Sequence, residues 1–240
     1  MEFGADFLEI SVPPDCVTLS MKDVAVLKDP RSAIDSALSA PIGSSTLENI
    51  VWKKGKPVSN LTVSIGVSDI TRPVPYKGEN GILIPLLKRL VSSGIAKQNI
   101  KIIVGTGMHR ASTRDEKIDM FGESLTRDFY VFDHKCEDLH SLTQIRKTHK
   151  NMDVYVNTEF FTADIKIVTG LVESHFMAGV SGGRKGVCPA LVDIRTIEKF
   201  HGPEFLESPC ADNIILAGNP CHREALDIAK AVGVDFTVNV

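Results

Sequence analysis

The 240-residue sequence has no apolar run long enough to cross a bilayer, so no membrane partner is expected. Its first residues, Met1-Glu-Phe-Gly-Ala-Asp-Phe-Leu-Glu-Ile10, lack both a basic stretch and a long apolar one, so a secretion signal is not expected either. A basic tract is also missing. With a net charge of −3 the chain has no electrostatic footprint for nucleic acid. The cysteines, Cys16, Cys136, Cys188, Cys210 and Cys221, are odd in number and show neither C-x-x-C nor zinc spacing. Free thiols in a reducing cytoplasm are the expectation. H-E-x-x-H is absent, and so are internal repeats and long low-complexity linkers.

What is present is 43% hydrophobic content in alternating segments, enough for one large α/β core or one domain with an appended piece. Residues 1–30 read as short strands and turns, and Arg31 to Leu38 as helical. Leu83, Leu86, Leu87, Leu90 and Val91 form a helical stripe within Ile82 to Ser93, with Pro85 tolerated in the first turn. Further helices are expected at Arg114 to Phe121, Asp193 to Phe200 and Pro220 to Val232. Strands are expected at Leu61 to Ile65, Asn99 to Gly105, Tyr130 to Asp133, Asp153 to Val156, Ala163 to Gly170 and Phe236 to Val240. This alternation predicts an α/β fold, a mainly parallel sheet flanked by helices.

The most informative segment follows the strand Ala163-Asp-Ile-Lys-Ile-Val-Thr-Gly170. It is Glu173-Ser-His-Phe-Met-Ala-Gly-Val-Ser-Gly-Gly-Arg-Lys-Gly-Val-Cys-Pro189. Gly179, Gly182, Gly183 and Gly186 allow positive φ and close backbone approach, so main-chain N–H groups can converge on an anion, with Arg184 and Lys185 supplying charge. It is not a P-loop, because Lys185 is flanked by Arg184 and Gly186; nor is it G-x-G-x-x-G, because the glycines are spaced 3, 1 and 3. A plain surface turn with a solvated Arg-Lys pair is the competing interpretation.

Two other strand ends carry similar loops. In Gly66-Val-Ser-Asp-Ile-Thr-Arg-Pro-Val-Pro75, the polar residues Ser68, Asp69, Thr71 and Arg72 are bunched before two prolines that forbid regular structure. Alone it could be an Asx turn with an exposed arginine. Ile102-Ile-Val-Gly-Thr-Gly-Met-His-Arg110 brings His109 and Arg110 to a glycine-rich tip. A lone histidine there is more often a hydrogen-bonded loop residue than a catalyst. Three such strand ends point to a ligand, because open α/β sheets bind at the carboxyl ends of their strands.

Asp69-Ile-Thr-Arg-Pro-Val-Pro75, Gly105-Thr-Gly-Met-His-Arg110, Glu173 to Lys185 and Lys199-Phe-His201 together resemble the amino-terminal domain of the lactate racemase family. The segments occur in the family's order over most of the chain, and the third is specific. The resemblance implies a Rossmann-like domain. It also implies nickel(II) held by a pincer derived from pyridinium-3,5-dithiocarboxylate mononucleotide, attached to Lys185 through a thioamide. His201 maps onto the histidine that completes the square-planar nickel site, a geometry and ligand set suited to nickel(II). His109 and His175 map onto histidines that exchange protons with the substrate hydroxyl, and Arg72 onto an arginine that holds the substrate. Asp69, Thr71, Ser181, Gly182, Gly183 and Arg184 are expected to contact the cofactor.

The implied function is racemisation or epimerisation of a small 2-hydroxy acid by hydride transfer, an isomerase activity. Hydride removal avoids the carbanion that proton abstraction beside a carboxylate would require. Histidine, with an unperturbed pKa of about 6.5, can act as acid or base near neutral pH. Cofactor-building enzymes are the implied partners. The family carries a further carboxy-terminal domain that closes over the cofactor. Residues 1–240 are therefore expected to be the cofactor-anchoring domain without its lid, and to be silent on their own. Two other readings stay open: a noncatalytic nucleotide- or phosphate-binding module, and a metal-dependent hydrolase using His109, His175 and Asp69. His134, His140, His149 and His222 match no catalytic position and are taken as surface or structural.

Overall fold

The computed structural model describes residues 2–3, 6–19, 24–145, 147 and 153–240. His149 lies outside them. Two short antiparallel strands, β1 (Glu2–Phe3) and β2 (Asp6–Phe7), precede the helices α1 (Pro30–Ser39) and α2 (Leu47–Lys53). The main sheet is built from β3 (Val63–Ser68), β4 (Ile100–Gly105), β5 (Tyr130–Asp133), β8 (Ile165–Gly170) and β11 (Phe236–Asn239). Its order is β11-β8-β3-β4-β5, and every neighbouring pair is parallel. Parallel strands require crossovers, and covering both faces of such a sheet requires apolar residues on both sides of each strand.

Two cores result, one on each face of the sheet. Ile65, Ile102 and Ile167 point to the face covered by α1, α2 and α3 (Leu83–Ser92). Ile103 and Val168, one position along, point to the opposite face, under α7 (Ile194–Phe200) and α9 (Pro220–Val232). This alternation is the period-two geometry of a strand. In α3, Leu83, Leu86, Leu87 and Leu90 are buried as the helical stripe predicts, and Pro85 falls in the first turn. Helix α9 begins with Asn219 as cap and Pro220 behind it, and stops at Gly233 in the left-handed region.

Helix α4 (Arg114–Phe121) has both halves of a capping box. Thr113 Oγ1 accepts from Glu116 N–H at 3.2 Å, and the Glu116 carboxylate accepts from Thr113 N–H at 2.7 Å. The same carboxylate takes a two-pronged bond from Arg110, at 2.8 and 2.5 Å, which ties the tip of the β4 loop to the helix behind it. Arg110 beside it holds the Glu116 carboxyl down at about 2.

The segment expected as a strand at Asp153 to Val156 forms β7 (Val154–Asn157) but does not join the parallel sheet. It pairs antiparallel with β6 (Leu142–Ile145) and buries Val154 and Val156 in the second core. Alternation alone cannot tell a strand of the main sheet from one arm of a satellite hairpin, since both bury one face. The short helices α2, α5 (Glu123–Asp128), α6 (Thr158–Phe161) and α8 (Pro203–Leu206) were not legible either, being too brief to show a stripe.

Candidate functional site

A cleft of about 370 Å³ opens at the carboxyl ends of β3, β4 and β8. Asp69, Thr71, Arg72, His109, His175, Ser181, Gly182, Lys185 and His201 all line it. Residues spread over more than half the sequence converge because parallel strands deliver all their following loops to one edge of the sheet.

The first loop is shaped by Asp69. Its Oδ1 accepts from Thr71 N–H at 3.2 Å and from Thr71 Oγ1 at 2.5 Å, an Asx turn, and its Oδ2 lies 2.6 Å from His109 Nδ1. The two prolines then turn the chain back so that Tyr76 enters the core. Its hydroxyl accepts the Ser68 N–H at 2.6 Å and meets Thr169 Oγ1 at 2.8 Å. Since Thr169 spends its own proton on the Gly66 carbonyl at 3.1 Å, the Tyr76 hydroxyl is the donor to Thr169. This buried bond fixes the β3 loop to β8, and burial pushes the Tyr76 hydroxyl pKa up. Gly105, at the end of β4, is required by packing: a Cβ there would sit 2.8 Å from the Ala190 methyl.

The third loop begins with a hairpin of β9 (Ser174–His175) and β10 (Gly179–Val180). Gly179 has φ +78°, and a Cβ there would lie 2.5 Å from the Ile215 carbonyl oxygen. Ser181 clamps the hairpin, donating to Leu171 O at 2.7 Å and accepting the Glu173 N–H at 3.0 Å. A single 3-10 turn, Gly183–Gly186, follows and presents Lys185 to the cleft.

The glycine turn differs from the open cradle of N–H groups that its sequence suggested. Gly183 N–H is spent on Asn239 Oδ1 at 3.0 Å, and Lys185 N–H on Gly182 O at 3.1 Å. Arg184 does not face the cleft. Its guanidinium turns inward to Ala178 O at 2.7 Å and Val180 O at 3.1 Å, and with Gly183 it borders a separate groove beside β11. The carbonyls freed by the sharp hairpin need donors more than the cleft needs a second cation.

The three cleft histidines differ in their ring contacts. His109 Nδ1 faces a carboxylate and His201 Nδ1 lies 2.8 Å from the Ile197 carbonyl, so both rings carry the proton on Nδ1 and leave Nε2 bare. His175 is reversed. Its Nδ1 faces the N–H groups of Met177 and Ala178, each at 3.3 Å, and its Nε2 lies 2.9 Å from Lys185 Nζ. Burial, then the charges of Lys185, Arg72, His201 and Arg184, bring the His175 pKa down to about 4. Burial, helped by Arg72 and Arg184 and opposed by the nearby thiols, lowers Lys185 to about 8.

Arg72 donates to the Glu173 carboxylate, a partner that the sequence did not announce. Glu173 and Tyr76 thus hold the cleft's walls from outside its lining and were unforeseen; the signal for Tyr76 was a lone polar aromatic directly after the Pro-Val-Pro turn. His134 is structural: it is buried and its Nε2 donates to Val192 O at 2.8 Å. His140 is exposed and His222 half-buried, both away from the cleft. Among the described residues, no group of three or more His, Cys, Asp or Glu could hold a metal by itself, and no helix is long and apolar enough to cross a membrane.

Residues 3–213 match the family model described as the lactate racemase N-terminal domain. The lactate racemase of Lactiplantibacillus plantarum is 34% identical over 210 residues, covering 88% of this chain and 47% of that protein. That of Thermoanaerobacterium thermosaccharolyticum is 32% identical over 207 residues, covering 86% and 46%. The chain therefore spans about half the length of the curated relatives it matches. Among solved structures, the lactate racemase apoprotein from T. thermosaccharolyticum superposes with a TM-score of 0.79 at 31% identity, over 88% of this chain and 48% of that one. A Thermotoga maritima protein shares the fold, with a TM-score of 0.66 at 20% identity over 90% of this chain and 52% of its own.

Proposed function

Because this chain belongs to the lactate racemase family by its amino-terminal domain, we propose that it is the cofactor-anchoring half of a 2-hydroxy acid racemase or epimerase that uses a lysine-tethered nickel-pincer nucleotide. The observation that carries this is the meeting of Lys185, His109, His175 and His201 on one cleft, with Lys185 half-buried and lowered to about 8. A buried, partly deprotonated amine is suited to a covalent bond to a carbonyl or thiocarbonyl carbon.

The residues fit the group. His201 offers a bare Nε2 and anchors its other nitrogen on a backbone carbonyl, the arrangement of a metal-ligating histidine with its orienting partner. His201 would be this chain's own ligand to a nickel ion held with the pincer, and no group of three or more His, Cys, Asp or Glu among the described residues would bind it alone. When bound, the pincer and nickel supply a hydride acceptor. His109, with Asp69 fixing its tautomer, receives the hydroxyl proton of the substrate at Nε2. Arg72 pairs with the substrate carboxylate after exchanging it for Glu173. His175 serves the opposite enantiomer. Asp69 and Thr71 shape the wall against which the nucleotide rests. The small 2-hydroxy acid itself, the cofactor-building enzymes as partners, and a cytoplasmic setting matched to five free thiols belong to the same proposal.

A noncatalytic phosphate binder is less well supported, since Arg184 faces away and two N–H groups of the glycine turn are already bonded. A hydrolase is disfavoured because both Asp69 oxygens are committed to Thr71 and His109. The deciding experiment is mass spectrometry of the Lys185 peptide. Coexpression with the cofactor-building enzymes and nickel should add mass there, and expression alone should not. An unmodified Lys185 from a verified loading system would defeat the proposal.

A further inference from the structure

His175 is held at three points in this structure, and together they determine where its proton lies. Two main-chain N–H groups, from Met177 and Ala178, point at Nδ1. Two donors aimed at one ring nitrogen require a lone pair there, so the neutral ring carries its proton on Nε2. An imidazole N–H can only donate. Its partner at 2.9 Å, Lys185 Nζ, must therefore accept, which makes it a free amine with its lone pair turned to the ring. The opposite arrangement, an ammonium donating to a bare Nε2, would place an Nδ1 proton against two N–H groups. Burial and the adjacent cations lower His175 to about 4 and Lys185 to about 8, so the uncharged pair is the dominant form above pH 8, where the lock is tested.

A ring held in this way is a poor proton carrier. Its lone pair is taken at Nδ1 by two backbone donors and its one proton is spent at Nε2 on Lys185 Nζ, so neither nitrogen is offered to the cleft. The lock has one removable member, Lys185. We infer that the free Lys185 amine is a positioning residue that holds His175 out of proton transfer, and that acylation of Lys185 releases the ring into the cleft. This rests on the proposal that Lys185 carries the cofactor. In acylation the Nζ lone pair bonds to the acyl carbon, the bond from that carbon to its leaving group breaks, and one Nζ proton departs with the leaving group. The product nitrogen has its lone pair delocalised and keeps a single N–H. It cannot accept from Nε2–H, so the same step that tethers the group frees the histidine.

The test uses the whole chain, without cofactor, labelled with ¹⁵N at histidine, with the His175 signals identified by their loss in His175→Gln. The folded chain is then acetylated with N-hydroxysuccinimidyl acetate, acetylation of Lys185 being verified by peptide mass, and Lys185→Met is compared in parallel. In the parent, His175 should show a protonated Nε2 and an accepting Nδ1. Removing the amine by either route should speed exchange of the Nε2 proton with water by about two- to tenfold, the worth of one net hydrogen bond. An Nδ1-protonated ring in the parent, or unchanged exchange after acetylation, would overturn the inference. Acetylation of the folded parent keeps the test valid if Lys185→Met does not fold. A chain showing the lock but gaining no cofactor mass at Lys185 would defeat the proposed function and leave the lock standing.

Discussion

His109 Nδ1 and Asp69 Oδ2, at the tips of adjacent parallel strands and 40 residues apart in sequence, lie 2.6 Å apart. The carboxylate is largely buried while the ring is more than half exposed, so the fixed partner orients the mobile one. On the proposed function, this is how a base would be oriented at the cleft that His109 lines.

On the proposed function, in a full-length relative carrying both domains, the substitutions equivalent to His109→Ala and His175→Ala should each lower racemisation by about 10²- to 10⁴-fold. Neither should prevent modification of Lys185. Deuterium at C2 of the substrate should remain in the product; extensive washout into water in a single turnover would instead indicate deprotonation at carbon.

His201→Ala should lower nickel content per Lys185-modified chain while circular dichroism stays unchanged, because the ring is exposed and contributes to the fold chiefly through one bond to Ile197 O. Equal metal content by elemental analysis would remove His201 from the ligand set.

Glu173→Gln should tighten binding of a small carboxylate. The Arg72–Glu173 pair is about two-fifths exposed on both sides, so solvent screening limits its strength, and the gain should be about two- to fivefold. Titration with L-lactate followed by NMR measures it, and Arg72→Ala should erase the difference. Identical affinities in the parent and Glu173→Gln would show that Glu173 does not compete for Arg72.

Tyr76→Phe should destabilise the fold by about 1–3 kcal/mol, since it strands the Ser68 N–H and the donor-accepting face of Thr169 in a buried setting. Urea unfolding reports the loss. An unchanged midpoint would mean that water replaces the hydroxyl.

Stability should fall with acid in a way that depends on His175. Its pKa is about 4 in the folded chain, against about 6.5 when unfolded, so the unfolded chain binds more protons between these values. The contribution is fully present above pH 6.5 and is lost as pH falls through 4. Its size is about 2 kcal/mol once partial solvent access is allowed for. His134, lowered by burial in the same sense, adds to the parent's slope. The difference between parent and His175→Gln isolates the His175 share, and parallel stability curves between pH 7 and 4 would contradict it.

The layered sheet was legible because β3, β4 and β8 are short runs rich in β-branched residues, and α3 and α9 keep long stripes with clear stops. The strand ends rich in glycine or proline are the ones that border the cleft in the structure. The sequence could not show which way side chains in those loops turn. Arg184 and Lys185 are adjacent, yet one satisfies hairpin carbonyls and the other enters the cleft, a choice made by φ values at Gly182 and Gly183. Glu173 escaped notice because its partner, Arg72, is about a hundred residues away. Of the satellite pair, only β7 was expected as a strand; β6 was not foreseen, and nothing local signalled that β7 would leave the main sheet to pair with it.

Asn239 caps the Gly183 N–H from β11, and the Val172 and Val240 main chains bond alongside it. During synthesis Lys185 leaves the ribosome more than fifty residues ahead of that cap. The glycine turn can take its finished form only after Asn239 has emerged and β11 has docked beside β8. On the proposed function, a group delivered to the finished turn at Lys185 would meet a folded surface and not a nascent peptide.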